Sequence, residues 1–349
     1  MALILRKEVT RRSFLNPLKG FLEEDQTVER RFDPLTGHVA VFNPVLEDKV
    51  RLFFGEHDWS QVEELARATK EACFMCPPKV TEVTPRYPED FIPTGRLIEG
   101  ECVLFPNLFP VAVRHAVIAL GREHWRRLSA FDQGLLASGL KLGLRFLRSC
   151  AEDPGLCFGS LCANYLPPAG ASLVHPHFQV VANPEAWPEE RALLSASWDY
   201  FLRYGRSYWK DLLEEEEKRG ERFIGRKGRV AFLTSFAPRG SNEVQAVIPV
   251  SGLSEITEED IDHLAQGLKA VLKGYEEMGY GTFNFTLFLP PLRERVSWFA
   301  PHLRIITRQN FYPAYRTDDY FLQRQLKAEL ILTPPERLAE ILKNKFEEV

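Results

Sequence analysis

Asn164-Tyr-Leu-Pro-Pro-Ala-Gly170-Ala-Ser172-Leu-Val-His175-Pro-His177-Phe-Gln179 runs into the apolar segment Val180-Val-Ala. Two histidines at i and i+2 in an extended segment point to the same side of the backbone, because side chains alternate across a strand. The Gly-Ala-Ser turn ahead of them offers backbone N–H groups and a hydroxyl, the donors an oxyanion needs. An imidazole at neutral pH is largely deprotonated and can attack phosphorus directly. A bare His-x-His also occurs by chance in surface loops. Asn164, Gly170, Ser172 and Gln179 around this pair weigh toward a functional site.

The segment resembles the active-site signature of the galactose-1-phosphate uridylyltransferase branch of the histidine-triad superfamily. That pattern is an Asn, a Gly-x-Ser turn, then His-Pro-His-Gly-Gln. Here the order is kept as Asn164, Gly170, Ser172, His175, Pro176, His177 and Gln179, with Phe178 in place of the glycine. In a strand Phe178 faces away from the histidines, toward the packing behind the site. Two shorter matches lie upstream in the family's order: Arg30-Arg-Phe-Asp-Pro-Leu-Thr-Gly37, and Asn107-Leu-Phe-Pro110, whose Asn sits near the nucleotide in the family.

Composition sets the class. With 349 residues, 45% of them apolar and 26% charged, the chain can bury a large core as two domains or one duplicated domain. A net charge of −4 provides no basic field for nucleic acid or anionic membrane. No apolar run approaches the roughly 18 residues of a membrane span, and the N-terminus lacks signal-peptide features. A cytoplasmic location is expected.

Six cysteines do not make a disulfide framework in a chain of this length. Cys102, Cys150, Cys157 and Cys162 read as buried thiols. Cys73-Phe-Met-Cys76 is different, since its spacing suits two thiolates on one tetrahedral metal, or a redox pair. A thioredoxin-like βαβ context for the redox reading is absent. The resemblance implies that Cys73, Cys76, His124 and His175 bind a structural zinc. His115 is a competing ligand, but it starts a strand and is expected to line the pocket or pack. Glu190 stands where many members carry a ligand for a second metal; Ala300 replaces a partner histidine, so a second metal is not expected.

The pattern along the chain predicts an α+β fold. The first 30 residues read as an arm or loose strand, and Asp58 to Ala72 as a helix capped by Asp58 or Ser60. Strands follow at Glu101–Phe105 and His115–Leu120, then a helix from Ala130 to Cys150 and strands at Cys157–Tyr165 and His175–Ala182. Asn183 to Gly220 reads as a loop and one long helix, ending in a solvated charge run from Glu214 to Arg219. The pattern then restarts with strands at Val230–Phe236 and Val244–Val250, a helix over Thr257–Met278, and strands at Thr282–Leu289 and Ala300–Ile306. A last helix is capped by Thr333. Aligning His175-Pro-His177 with Ala300-Pro-His302 puts His177 on His302. This predicts a duplicated histidine-triad-like unit with antiparallel sheets and flanking helices, divided into residues 1–220, with the chemistry, and a degenerate half, 221–349.

The resemblance implies nucleotidyl transfer in two steps. His177 attacks the α-phosphorus of a nucleoside-diphosphate sugar, and a phosphorylated acceptor, a sugar 1-phosphate, then takes the nucleotidyl group. Gln179 would hold a phosphoryl oxygen, and Asn107, Asn164, Gly170 and Ser172 would bind substrate. The family recognises its hexose through an aromatic–Glu pair; here Tyr315-Arg316 places a cation there, which suits a more anionic acceptor. Two rival readings are a phosphorylase of nucleoside-diphosphate sugars or dinucleoside polyphosphates using the same histidine, and a zinc-stabilised nucleotide-binding protein without catalysis. A homodimer is expected from the family's habit of sharing sites across a dimer.

Overall fold

The computed structural model describes residues 3–348. A long hairpin comes first, β1 (Lys7–Asn16) and β2 (Leu22–Phe32), followed by β3 (Val39–Phe42). Helices α1 (Val50–Phe54), α2 (Trp59–Thr69) and α3 (Lys79–Glu82) lead to β4 (Leu97–Glu99), β5 (Cys102–Pro106) and β6 (Arg114–Ala119). Helix α4 (Gln133–Cys150) connects to β7 (Phe158–Tyr165) and β8 (His177–Asn183). Helices α5 (Pro188–Tyr204) and α6 (Tyr208–Arg219) then bridge to β9 (Phe223–Lys227), β10 (Val230–Thr234) and β11 (Val244–Val247). Helix α7 (Glu258–Glu277), β12 (Phe283–Phe288) and β13 (His302–Thr307) follow, and α8 (Phe321–Arg324), β14 (Ala328–Ile331) and α9 (Pro335–Glu347) close the chain.

Among the described residues the strands form two sheets. The larger has ten strands in the order β4-β5-β6-β8-β7-β12-β13-β11-β10-β9, and its pairings are antiparallel. Read from either edge, the order repeats: three strands, then the histidine strand, then the strand that follows the helix. The two series meet where β7 pairs with β12. The smaller sheet is β1-β2-β3-β14, with β14 added parallel to β3.

Helices α4 and α7 occupy equivalent places in the two series and cover one face of the large sheet. Their apolar stripes explain this. Leu136, Leu140, Leu144 and Leu147 of α4 and Ile261, Leu264, Leu268 and Val271 of α7 are buried in one continuous core with Ile118, Phe178, Val180 and Phe285. Glycine sets the approach distance in each helix. A Cβ at Gly143 would lie 2.0 Å from Leu161 Cδ1, and one at Gly267 would lie 2.1 Å from the Phe232 ring. Phe178 points into this core as its strand parity requires, with its ring 4.9 Å from Phe285. Burying such a ring contributes about 2–3 kcal/mol.

Several expected elements differ. Where an arm or loose strand was expected, Lys7–Asn16 and Leu22–Phe32 form an antiparallel hairpin in full register from Lys7↔Arg31 to Asn16↔Leu22. Its apolar residues are mostly exposed, so it lacked the one-sided alternation that marks a half-buried strand. The expected long helix is two helices, because Gly205 adopts φ 67° and ends α5. The charge run is only partly solvated. Glu216 is buried against Arg222 at 3.1 Å, and Glu215 pairs with Arg219 at 2.6 Å. Helix α9 has Pro334, not Thr333, at its N-cap, with no side-chain cap bond. The edge strands β4 and β9 and the late strand β14 went unread, each being five residues or fewer.

Candidate active site and metal centre

The face of the sheet opposite α4 and α7 carries the polar residues. In antiparallel pairs, directly opposed residues share a face. One cross-strand row is Asn164 and Asn284, which the β7–β8 register extends to His177 one step past Ala163↔Phe178, and the next is Gln179, Cys162, Thr286 and Arg304. Asn164 thus lies beside His177 by register alone, thirteen residues apart in sequence.

His177 is buried to 7% exposure, and its Nδ1 lies 2.8 Å from the backbone oxygen of His175. A carbonyl can only accept, so Nδ1 carries the proton and Nε2 the lone pair. Burial holds the His177 pKa below its ordinary value, which keeps the ring neutral at pH 7. The tautomer is therefore fixed with a nucleophilic nitrogen.

His175 lies just ahead of β8 rather than within it, which departs from the expected strand of two histidines. Its ring joins a cluster with Cys73, Cys76 and His124, whose ligand atoms all lie within 4.8 Å of one another. Cys76 Sγ is 3.3 Å from His124 Nδ1 and 3.5 Å from His175 Nδ1. Tetrahedral bonds of about 2.3 Å to sulfur and 2.0–2.1 Å to nitrogen separate donors by roughly 3.3–3.8 Å, so the cluster can hold one metal ion. Nε2 of His175 is buried without a partner. Burial and the neighbouring His124 and His177 push its pKa down to about 3, so the ring is a neutral ligand. Burial and Cys73 push the Cys76 thiol up to about 11, a thiol that a bound dication would ionise.

The sequence reading missed Thr69, at the end of α2. Its hydroxyl donates to Leu65 O at 2.8 Å and lies 3.0 Å from His124 Nε2. It therefore accepts from that nitrogen, leaving the Nδ1 lone pair aimed at Cys76. The Thr–His pairing across 55 residues has no sequence signal.

His115 is brought to Gln179, not to the metal cluster. Val111 N–H donates to His115 Nδ1 at 3.2 Å, so Nε2 carries the proton and donates to Gln179 Oε1 at 2.8 Å. With its oxygen engaged, the Gln179 amide presents its NH₂ group as donor. Asn107 adjoins this pair, with Nδ2 3.2 Å from His115 Nε2. His115→Phe frees the amide to rotate, which should cost about one hydrogen bond, roughly 1–1.5 kcal/mol or close to tenfold in rate. A kinetic double-mutant cycle checks this: in a Gln179→Ala background, His115→Phe should have little further effect.

The turn between β7 and β8 is tightly held. Leu166 sits at φ 67°, ψ 160°, a conformation rare outside glycine, and is fully buried. Gly170 closes the turn at φ 89°, and the Asn284 amide donates to Ala169 O at 2.8 Å and to Asn164 Oδ1 at 2.7 Å. Gly170 and Ser172 are exposed on this turn. Asn284 in turn accepts from Arg308, which is paired with Asp318 at 2.7 Å. Arg308 and Asn284 are further polar groups that the sequence reading missed. Arg316 is not brought into this ladder; its guanidinium lies 4.9 Å over Phe53 and 5.7 Å from the Tyr320 ring. Glu190 caps α5, accepting from Trp187 N at 2.9 Å and from the Ser160 hydroxyl.

Comparison with known proteins follows this architecture. No family model matches the chain. An uncharacterized protein from Archaeoglobus fulgidus is 27% identical over 334 residues, covering 95% of this chain and 96% of that one. Among solved structures, an ADP-glucose phosphorylase from Arabidopsis thaliana with bound ADP-glucose superposes with a TM-score of 0.68 at 17% identity, covering 90% of this chain and 98% of that chain. A galt-like protein from the same plant gives 0.69 at 18%, with the same coverage. A uridylyltransferase gives 0.67 at 19%, covering 91% and 98%. The chain thus has the duplicated α+β fold found in these proteins.

Proposed function

We propose that the chain is a nucleotidyl-transfer enzyme acting on a nucleoside-diphosphate sugar, with residues 1–220 supplying the chemistry and 221–349 a degenerate half. The observation that carries this reading is the Nδ1–H bond from His177 to His175 O, which presents a neutral Nε2 lone pair. In the first step Nε2 attacks the α-phosphorus and the bond to the bridging oxygen breaks, releasing a phosphorylated sugar. The imidazole gains positive character as the N–P bond forms, and the carbonyl of His175 stabilises it through the same hydrogen bond. In the second step an oxygen of the acceptor's phosphate attacks that phosphorus, the N–P bond breaks, and the ring returns to neutrality.

The surrounding residues act on charge and position. The Gln179 NH₂ donates to a non-bridging phosphoryl oxygen, and as a neutral amide it offers no proton relay to water, which favours transfer over hydrolysis. Asn164, whose own oxygen is occupied by Asn284, donates its NH₂ in the same row. Gly170 and Ser172 supply turn donors to the diphosphate, and Asn107 lies toward the nucleotide. Cys73, Cys76, His124 and His175 would hold a zinc ion, which would fix the segment carrying the His175 carbonyl. The fold of an ADP-glucose phosphorylase supports inorganic phosphate as a second acceptor beside a sugar 1-phosphate. Exposed Leu15, Leu18, Phe21 and Leu22 on the β1–β2 hairpin support a homodimer.

Incubation with labelled UDP-, ADP- and GDP-sugars followed by acid-free trapping tests the reading. One donor should label the enzyme in the absence of acceptor; no label from any of them would refute it. The resemblance assigns Arg316 to the anionic acceptor, although its guanidinium stacks over Phe53 and Tyr320 outside the polar ladder. Arg316→Glu should raise the acceptor KM about tenfold while leaving donor labelling unchanged; equal KM for every acceptor would place Arg316 outside the site.

A further inference from the structure

The two halves of the large sheet superpose by strand order, and this places His302 on His177 and Arg304 on Gln179. The second histidine copies the first: its Nδ1 lies 3.0 Å from Ala300 O. It cannot act in the same way, because it is fully buried, with the Trp209 ring stacked at 3.9 Å and Phe288 at 5.3 Å. Its Nε2 is sealed and without a partner. Chemistry is absent from this half, yet a cavity remains.

That cavity, of about 340 Å³, lies on the same sheet face, and Arg239, Asn284, Phe288, Arg304, Lys327 and Glu329 are among the residues that line it. Such a volume falls at the lower end of the range for small-molecule sites, about 300–1,000 Å³. Arg304 is 8% exposed, and its Nε is buried without a hydrogen-bond partner; Nε of Arg239 is in the same state. Buried donors without partners are costly, and each needs an explanation. A single carboxylate, Glu189, serves both guanidinium groups, at 2.9 Å and 3.4 Å. Glu243 is already engaged by the Ser235 hydroxyl and by Arg239 N at 2.8 Å. Glu329 accepts from Gln323 Nε2 and Leu330 N, each at 2.9 Å, and burial pushes its pKa up to about 7. Arg239, Arg304 and Lys327 thus face one carboxylate shared between two guanidinium groups, Glu189, and two that other donors already engage.

We propose that this cavity is a second, non-reacting site for a phosphate-bearing sugar, with the phosphate on Arg304 and Arg239 and the hydroxyls on Glu329, Gln323 and Asn284. Two strand spacings of about 4.8 Å separate β8, the strand of His177, from β12, so a phosphate held on Arg304, one strand further on β13, is out of reach of the nucleophile. Asn284 is shared between the two places: it lines the cavity and donates to Asn164 beside His177. Occupancy of the cavity is thereby coupled to the first site.

Calorimetric titration of the zinc-loaded protein with glucose 1-phosphate and, separately, with inorganic phosphate tests this. Arg304→Gln should weaken binding of glucose 1-phosphate at one site at least tenfold, and Gln179→Ala should leave that site intact. The exposed substitution Lys327→Ala, which does not disturb the core, should weaken it several-fold. Inorganic phosphate should bind this site more weakly than the ester; equal affinity would overturn the assignment to a sugar phosphate. Unchanged affinity in both Arg304→Gln and Lys327→Ala would overturn the site itself. Labelling of His177, measured on the same samples, reports on nucleotidyl transfer independently: its absence in the unsubstituted protein refutes the proposed function and not the second site.

Discussion

His177→Ala should abolish formation of the nucleotidyl-enzyme, with transfer falling by several orders of magnitude, while the folded protein keeps its metal. The ring makes one internal hydrogen bond, to His175 O, and its Nε2 is the nitrogen left for attack. Its removal leaves Gln179, Asn164 and Cys73, Cys76, His124 and His175 in place, so binding of the donor should survive where turnover does not. His177→Gly should be partly rescued by added imidazole, which can occupy the vacated space with an equivalent nitrogen. Label persisting in His177→Ala, or found on a cysteine, would mean that another residue is the nucleophile.

Cys73→Ser should lose the metal and destabilise the fold by about 4 kcal/mol or more, a fall in Tm of roughly 5 °C or more for a chain of this length. The four ligands come from three separate places: the loop after α2, the loop after β6, and the residue just before β8. A metal that binds the folded chain closes these segments on one another, so its binding free energy appears as stability. Elemental analysis should give about one zinc per chain in the unsubstituted protein and none in the variant. Because His175 links the cluster to His177 through its carbonyl, Cys73→Ser should also slow labelling, with no change in the residue labelled. Two tightly bound metals per chain, or none in a stable folded protein, would contradict the assignment.

What was legible in the sequence was local. The quoted stretch could be read because a turn glycine, two spaced histidines and a strand with apolar parity sit within sixteen residues. Phe178 followed from parity alone and is where parity puts it, against Phe285. Asp58 could be recognised as a candidate cap, beside Ser60, because capping uses contacts two or three residues away, and Asp58 is the one that caps α2; Thr257, read as the first residue of its helix, is the N-cap of α7. The duplication was visible through Pro-His repeated at the start of two strands. What escaped reading depends on distant pairs. Thr69 on His124, His115 on Gln179 and Arg308 on Asn284 join residues 55, 64 and 24 positions apart. The β1–β2 hairpin escaped because neither face is buried in the core, leaving no periodic signal. Gly205 marks the break between α5 and α6, but a single glycine within a helical pattern is also tolerated, so it decides nothing without its φ.

The central claim is that His177 carries the nucleotidyl group. Mass spectrometry of peptides from the enzyme, quenched at mildly basic pH after incubation with an accepted nucleoside-diphosphate sugar, tests it most directly, since a phosphoramidate survives base better than acid. A single added nucleoside monophosphate is expected on the peptide spanning His175 and His177, with fragmentation assigning it to His177 and loss of the adduct on adding acceptor. An adduct on any other residue, or turnover with no adduct under conditions that trap such phosphoramidates, would contradict it.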